Sequence, residues 1–246
     1  MFPIFKSYYL VINLIKSNQP MISHKYKCIF IHIPKCAGTS IESKLGHLDG
    51  HNGRSGQDHR SIRMLEQPFL IPNTLFSKEN IIELLRREKH LLLNDTENQR
   101  NKYTVTRQQY NSYFKFSVVR NPWDRAVSWY KNVLNDEIHL KSHGITKEIS
   151  FKEFILRFAG KGMLKPQINW LKSFNGSIPL DYIGRFENLQ EVFQEIVERL
   201  KLDDSSFPHL YKGSGDDYRK YFDNETIDVI TYIYKEDIDS FNYKFD

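Results

Sequence analysis

Residues 29–40 read Ile29-Phe30-Ile31-His32-Ile33-Pro34-Lys35-Cys36-Ala37-Gly38-Thr39-Ser40. Apolar side chains at 29, 30, 31 and 33 predict a strand buried on both faces, as in the centre of a parallel sheet. Ala37-Gly38 permits a sharp turn in which successive backbone N–H groups face one point. A helix opening at Ile41–Leu45 adds its positive end to that field. One lysine and two hydroxyls on such a turn make a phosphate cradle. It is not the usual nucleoside triphosphate loop, Gly-x4-Gly-Lys-Ser/Thr, in which the lysine follows the second glycine. Here Lys35 precedes Gly38 by three residues. Its ammonium therefore approaches from the strand side, while Thr39 and Ser40 offer hydroxyls at the helix start.

A second segment has related punctuation. Lys115-Phe116-Ser117-Val118-Val119-Arg120 reads as a short strand, and Asn121-Pro122 as a helix cap followed by proline at the first helical position. The helix runs over Trp123–Leu134, leaving Arg120 at the carboxyl end of the strand, where open α/β sheets bind ligands. Ser128 lies eight residues beyond Arg120, a little over two helical turns. A ligand near the strand end is within reach of both side chains.

Together the two segments resemble the sulfotransferases that use 3′-phosphoadenosine 5′-phosphosulfate (PAPS), and more closely the carbohydrate sulfotransferase branch (family 2-like) than the cytosolic small-molecule branch. Gly184-Arg185-Phe186-Glu187-Asn188-Leu189, Ile233-Tyr234-Lys235-Glu236-Asp237-Ile238 and Phe241-Asn242-Tyr243 are also similar to that family's C-terminal segments, so the likeness spans roughly residue 26 to the end. The resemblance implies an α/β, P-loop-like three-layer fold with a central mainly parallel sheet flanked by helices. It implies a sulfotransferase domain over 26–246 behind an N-terminal tail of 1–25. It implies that Lys35, Cys36, Ala37, Gly38, Thr39 and Ser40 hold the 5′-phosphosulfate of PAPS and that Arg120 and Ser128 hold the 3′-phosphate. It further implies O-sulfation of a hydroxyl acceptor, a carbohydrate or glycoconjugate, with PAP as product and no metal.

Sulfuryl transfer needs acceptor oxygen and leaving phosphate in line, and a cation where charge builds on the bridging oxygen; Lys35 is the candidate. The acceptor hydroxyl needs a base, which points to histidine. His59, in Gln57-Asp58-His59-Arg60-Ser61, resembles the family position that supplies it, with His47 and His51 as rivals in the same loop. His32 alternates with buried isoleucines and reads as a core histidine. Near the C-terminus Tyr211-Lys212-Gly213-Ser214-Gly215 and Tyr218-Arg219 form a basic patch that either clamps the 3′-phosphate or is a surface turn. Arg185, Glu187 and Asn188 read as structural ties.

Composition sets the outer bounds. A chain of 246 residues with 40% hydrophobic and 26% charged residues supports one α/β domain with a full core. Its net charge of +5, from 35 basic and 30 acidic residues with signs interspersed, suits a small anionic ligand and lacks the basic stripe of a nucleic-acid surface. Cys28 and Cys36 are separated by a predicted strand, roughly 25 Å end to end, too far for a disulfide. Cys36 reads either as a packing residue or as a thiol activated by Lys35 and a helix dipole. The run Tyr8–Ile15 is too short to span a bilayer, which points to a cytoplasmic enzyme. Two other classes remain open: a P-loop kinase or related nucleotide hydrolase needing magnesium, and a non-catalytic PAP- or nucleotide-binding protein that keeps the fold without the base.

Elsewhere, residues 46–63 read as an irregular loop, Ser77–Leu93 as a helix with a broad apolar face, and Tyr103–Thr106 as a short strand. Asn135–Lys147 reads as a loop that could cover a site. Ser150–Glu153 has the capping-box pattern for a helix through Phe158, Asp181–Gly184 is a strand, and Leu189, Val192, Phe193, Ile196, Val197 and Leu200 form the inner face of a helix. A final helix covers about Glu225–Lys235.

Overall fold

The computed structural model describes residues 21–50, 56–66, 77–93, 99–202 and 217–246. The Ile29–Ile33 run forms strand β2 (Cys28–Ile31), beside β1 (Ile22–Ser23), β3 (Phe114–Val119) and β4 (Tyr182–Arg185). The sheet order is β1-β2-β3-β4. β1 pairs antiparallel with β2, while β2–β3 and β3–β4 are parallel, with Phe30 opposite Phe116 and Val118 opposite Gly184. The sheet is thus mostly parallel and flanked by helices, as the strand pattern predicts. Every residue of β2 is buried, as are residues 115–119 of β3, which is why these strands carry continuous rather than alternating hydrophobicity. β1 lies inside the stretch read as a tail, and Met21 and Ile22 are fully buried.

Helices α1 (Gly38–Lys44), α2 (Ile62–Leu65), α3 (Lys78–Leu93) and α4 (Arg107–Ser112) lie in sequence between β2 and β3. Helices α5 (Pro122–Leu134), α6 (Glu137–His143), α7 (Phe151–Phe158) and α8 (Ile168–Leu171) lie between β3 and β4, and α9 (Leu189–Leu200), α10 (Asn224–Ile233) and α11 (Lys235–Phe241) follow. Local chemistry sets many of their ends. The Asn121 side chain accepts from the N–H groups of Trp123 and Asp124 with Pro122 behind it, and the Ser150 hydroxyl accepts from Glu153 N–H.

Four sequence expectations are corrected. Tyr103–Thr106 forms no strand: Thr106 caps α4 in a reciprocal capping box with Gln109, a signal present in the sequence as Thr-x-x-Gln. Asn135–Lys147 contains α6, started by the Asp136 side chain, which accepts from Ile138 and His139 N–H, and stopped by Gly144 at φ 61°. Ser77–Leu93 is helical over Lys78–Leu93, but Ile81, Ile82, Leu85, Leu91 and Leu92 are exposed among the described residues. Asn80 and Glu83 face inward instead, because Asn80 donates to the Phe174 carbonyl and Glu83 accepts from the Ser61 hydroxyl. In α9 only Val192, Ile196 and Leu200 of the six expected core residues are fully buried; the other three are half-buried.

The core runs from β2 and β3 to the inner faces of α5, α7 and α9, with Phe30, Phe116 and Phe154 among its largest members. At its β4 edge, a Cβ on Gly184 would sit 2.6 and 2.7 Å from the two methyls of Val192, so glycine lets α9 lie against the strand. Gly184→Ala should destabilise the protein by about 1–3 kcal/mol in urea unfolding, from overpacking. Adding Val192→Ala should recover part of that loss; strictly additive effects of the two substitutions would contradict this packing.

Candidate active site

The turn after β2 is held by two arginines, Arg120 just after the neighbouring strand β3 and Arg125 on α5. Arg125, 1% exposed and lacking a carboxylate within salt-bridge distance among the described residues, donates to the carbonyls of Pro34 (3.0 Å), Lys165 (3.0 Å) and Met163 (2.5 Å). Arg120 donates from Nη1 to the Lys35 carbonyl at 3.0 Å. With both carbonyls turned inward, Lys35 (φ 70°) and Ala37 (φ 61°) occupy the left-handed region, at a cost of about 1–2 kcal/mol each. Among the described residues the N–H groups of Lys35, Ala37, Gly38 and Thr39 have no backbone acceptor, whereas those of Cys36 and Ser40 bond to Ile33 and Ala37. Left-handed backbone at Lys35 and Ala37 followed by the start of α1 is the backbone geometry of a nest running into a helix start.

The sequence pattern predicts that Ala37-Gly38 gives the turn its sharpness. In the fold, the strained positions are Lys35 and Ala37, and Gly38 serves another need: a Cβ there would lie 1.9 Å from His32 Cδ2. Cys36 is buried, donates weakly to Gln167 Oε1 and the Pro34 carbonyl, and burial pushes its thiol up to about 12. It is a packing thiol rather than an activated one. Cys28 is likewise buried and free. Ser40 is buried; Thr39 is half-buried and its Oγ1 accepts from Gln57 Nε2 at 2.7 Å.

Lys35 extends its side chain to α5, where Nζ donates to Asn132 Oδ1 at 2.9 Å. Burial first and Arg120 second hold its ammonium below the usual lysine range. Arg120, Asp124, Ser128 and Asn132 recur every four residues and so share one stripe of α5 and its entry. Ser128 is half-buried on that stripe, between the Arg120–Asp124 ion pair (2.7 Å) and the Asn132–Lys35 contact. Arg120 is already engaged: Nε and Nη2 bind Asp124, Nη1 binds the Lys35 carbonyl, and the guanidinium stacks 3.9 Å from the Phe186 ring. Holding an anion there exchanges the Asp124 contact for it.

His59 reaches the same region from the other side. Gln57 ties its segment to Thr39, and His59 Nδ1 lies 3.2 Å from the His32 carbonyl. A carbonyl can only accept, so Nδ1 carries the proton and Nε2 the lone pair. The His59 and His32 rings are 4.2 Å apart. Burial holds His59 down to about 4 and His32 to about 3, so both are neutral near pH 7. His32 is the satisfied core histidine the strand pattern predicts, its Nδ1 3.0 Å from Glu42 Oε1. His47 is fully buried, away from solvent, and its Nδ1 accepts the Met21 N–H. His51 and Lys212 lie outside the described residues, and Arg219 is an exposed partner of Asp217. Arg185 donates to the Phe241 carbonyl, and Glu187 accepts from Asn121 N–H and the Tyr243 hydroxyl, so both are ties.

Several contributors are invisible in the sequence reading. Gln167 receives Arg120 N–H (2.8 Å) and the Cys36 thiol on Oε1 and donates to the Arg120 carbonyl (2.8 Å), joining the two motifs. Asp237 receives the N–H groups of Gln167 (2.7 Å) and Ile168 (2.9 Å) and so holds Gln167 in place. Arg125, Asn132 and Glu42 complete the set. Arg125 lies within the predicted helix Trp123–Leu134 and Asp237 within Ile233–Ile238, both segments marked in the sequence; no single-sequence signal marks Gln167. Among the described residues no group of three or more His, Cys, Asp or Glu is placed to hold a metal, and no helix is long and apolar enough to cross a membrane.

A profile of the sulfotransferase family matches residues 18–244. A protein from Archaeoglobus fulgidus described as uncharacterized is 24% identical over 127 residues, which cover 47% of this chain and 91% of its own. No solved structure matches the chain.

The low pKa of His59 has a consequence for stability. The unfolded chain takes up that proton near 6.5, the folded chain only near 4. The stability this histidine contributes is full above pH 6.5 and is lost as pH falls toward 4, by up to about 1.4 kcal/mol per pH unit. The unfolding free energy of the parent minus that of His59→Gln should therefore fall across that window. A difference independent of pH would mean that His59 titrates as an exposed imidazole.

Proposed function

The chain belongs to the sulfotransferase family, and on that footing we propose that it transfers a sulfuryl group from PAPS to a hydroxyl on a carbohydrate or glycoconjugate, with His59 as base. The observation that carries the reading is the pair of carbonyl clamps, Arg125 on Pro34 and Arg120 on Lys35, on a turn whose amides at 35, 37, 38 and 39 have no backbone acceptor among the described residues and whose own lysine supplies an ammonium. The donor set, neutral N–H groups with Lys35, Arg120 and Ser128 and no carboxylate on the turn itself, fits a phosphosulfate at one end and a phosphate at the other.

In this reading the amides of Ala37, Gly38 and Thr39 orient the 5′-phosphosulfate, and Arg120 with Ser128 holds the 3′-phosphate. His59 Nε2 takes the acceptor's hydroxyl proton as that oxygen bonds to sulfur. The sulfur–oxygen bond to the 5′-phosphate breaks, and Lys35 stabilises the charge left on the phosphate oxygen, a charge larger in the transition state than before it. Lys35 reaches that oxygen by leaving Asn132, to which it is bonded through one of three donors. Burial keeps His59 uncharged and ready to accept a proton, while the negative donor raises its affinity for the proton it takes.

The test pairs binding with turnover. PAP should raise the melting temperature more than ADP or ATP, with no magnesium requirement, and Arg120→Ala should lose most of that shift. Lys35→Ala should lower kcat by about 100-fold or more with PAPS and a sugar acceptor. Stabilisation by ATP and magnesium above that by PAP would favour a kinase-like enzyme. PAP binding with no turnover on any hydroxyl acceptor, unaffected by replacing His59, would favour a binding protein.

A further inference from the structure

Glu42 is fully buried on the inner face of α1, and its contacts extend beyond the His32 hydrogen bond described above. Its Oε1 meets two N–H groups at once, His32 Nδ1 at 3.0 Å and the backbone N–H of Asp58 at 3.3 Å. Its Oε2 is buried with no hydrogen-bond partner. The two residues it holds flank the base on both sides. Asp58 immediately precedes His59 in the chain, and the carbonyl of His32 is the acceptor that fixes the proton on His59 Nδ1. The same His32 ring lies against Gly38 at the start of the open amides, so tightly that only hydrogen fits between them.

We propose that Glu42 is a positioning residue of the transfer reaction: one carboxyl oxygen sets His59 relative to the anion cradle by fixing both the segment that carries it and the carbonyl that orients its ring. The proposal rests on the reading of His59 as base. It requires Oε1 only as an acceptor, so the group works uncharged, with its proton on Oε2. Burial, which pushes this carboxyl up to about 8, agrees with that state; His32, His47, Asp58 and His59 are the titratable groups that face it. An amide in the same place keeps the acceptor, and a shorter or missing side chain does not. Asp58 cannot take over the role, because its carboxylate is consumed by Arg60 Nε, Nη2 and backbone N–H.

Three variants separate the possibilities. Glu42→Ala should lower kcat by about 10- to 100-fold, the scale of a misplaced general base, while the melting shift produced by PAP and the KM for PAPS stay within about threefold, a small change in binding free energy. Glu42→Gln should restore kcat to within about threefold of the parent, since it returns the acceptor. Nitrogen-15 NMR of labelled histidine should show His59 as the Nδ1–H tautomer in the parent and Glu42→Gln, and as a mixture in Glu42→Ala. If Glu42→Ala does not fold, Glu42→Asp, which keeps the acid and retracts the oxygen, is measured in its place with the same loss expected. Parent-like kcat in the folded Ala or Asp variant overturns the proposal, as does a Gln variant as impaired as Ala, which would assign the role to charge. His59→Ala is the control: if it retains turnover, the base assignment itself fails, independently of Glu42.

Discussion

Two buried guanidinium-to-carbonyl contacts decide what the turn after β2 is able to do. A peptide carbonyl that faces inward obliges its neighbours' N–H groups to face elsewhere, and here Arg125 and Arg120 take the carbonyls of Pro34 and Lys35 in succession. Hydrogen bonds from a charged donor contribute about 1.5–3 kcal/mol each, enough to offset the left-handed backbone at Lys35 and Ala37. The cradle is therefore shaped by α5 rather than by its own sequence. That also explains why the two motifs occur together: one supplies the amides, the other the groups that aim them.

The electrostatics around the turn follow from the same arrangement. Lys35, Arg120 and Arg125 converge on a few residues, with Asp124 as the ion-pair partner on that stripe of α5. Burial and the neighbouring guanidinium push the Lys35 ammonium below its usual range. On the opposite side the groups are uncharged: His32 and His59 fold as neutral imidazoles, and Glu42 is pushed toward its neutral acid. The cationic side of the turn and its neutral side meet near Gly38, where a β-carbon would collide with the His32 ring.

Much of this was legible in the sequence because it is written in short-range signals. The continuous hydrophobicity of residues 29–31 and 116–119 gives buried parallel strands, and Asn121-Pro122 gives the start of α5. The order of lysine and glycine at 35 and 38 distinguishes the turn from a triphosphate loop. What could not be read is long-range. Gln167 joins Cys36 to Arg120 across more than a hundred residues of chain, and Asp237 fixes Gln167 from the C-terminal segment. The outward apolar face of α3 is not readable from sequence because hydrophobic periodicity reveals a stripe without saying which side is buried; single hydrogen bonds of Asn80 and Glu83 set that side. Helix α6 and the helix entry at 103–106 differ, since Asp136, Gly144 and the Thr106–Gln109 box are short-range signals present in the sequence.

The most direct measurement is a crystal structure with adenosine 3′,5′-bisphosphate bound. The clamped turn predicts the 5′-phosphate against the N–H groups of Ala37, Gly38 and Thr39 and Lys35 Nζ moved from Asn132 onto it, with the carbonyls of Pro34 and Lys35 still on their arginines. A phosphate bound elsewhere, with Lys35 still on Asn132, would contradict the idea that this turn was built to hold an anion.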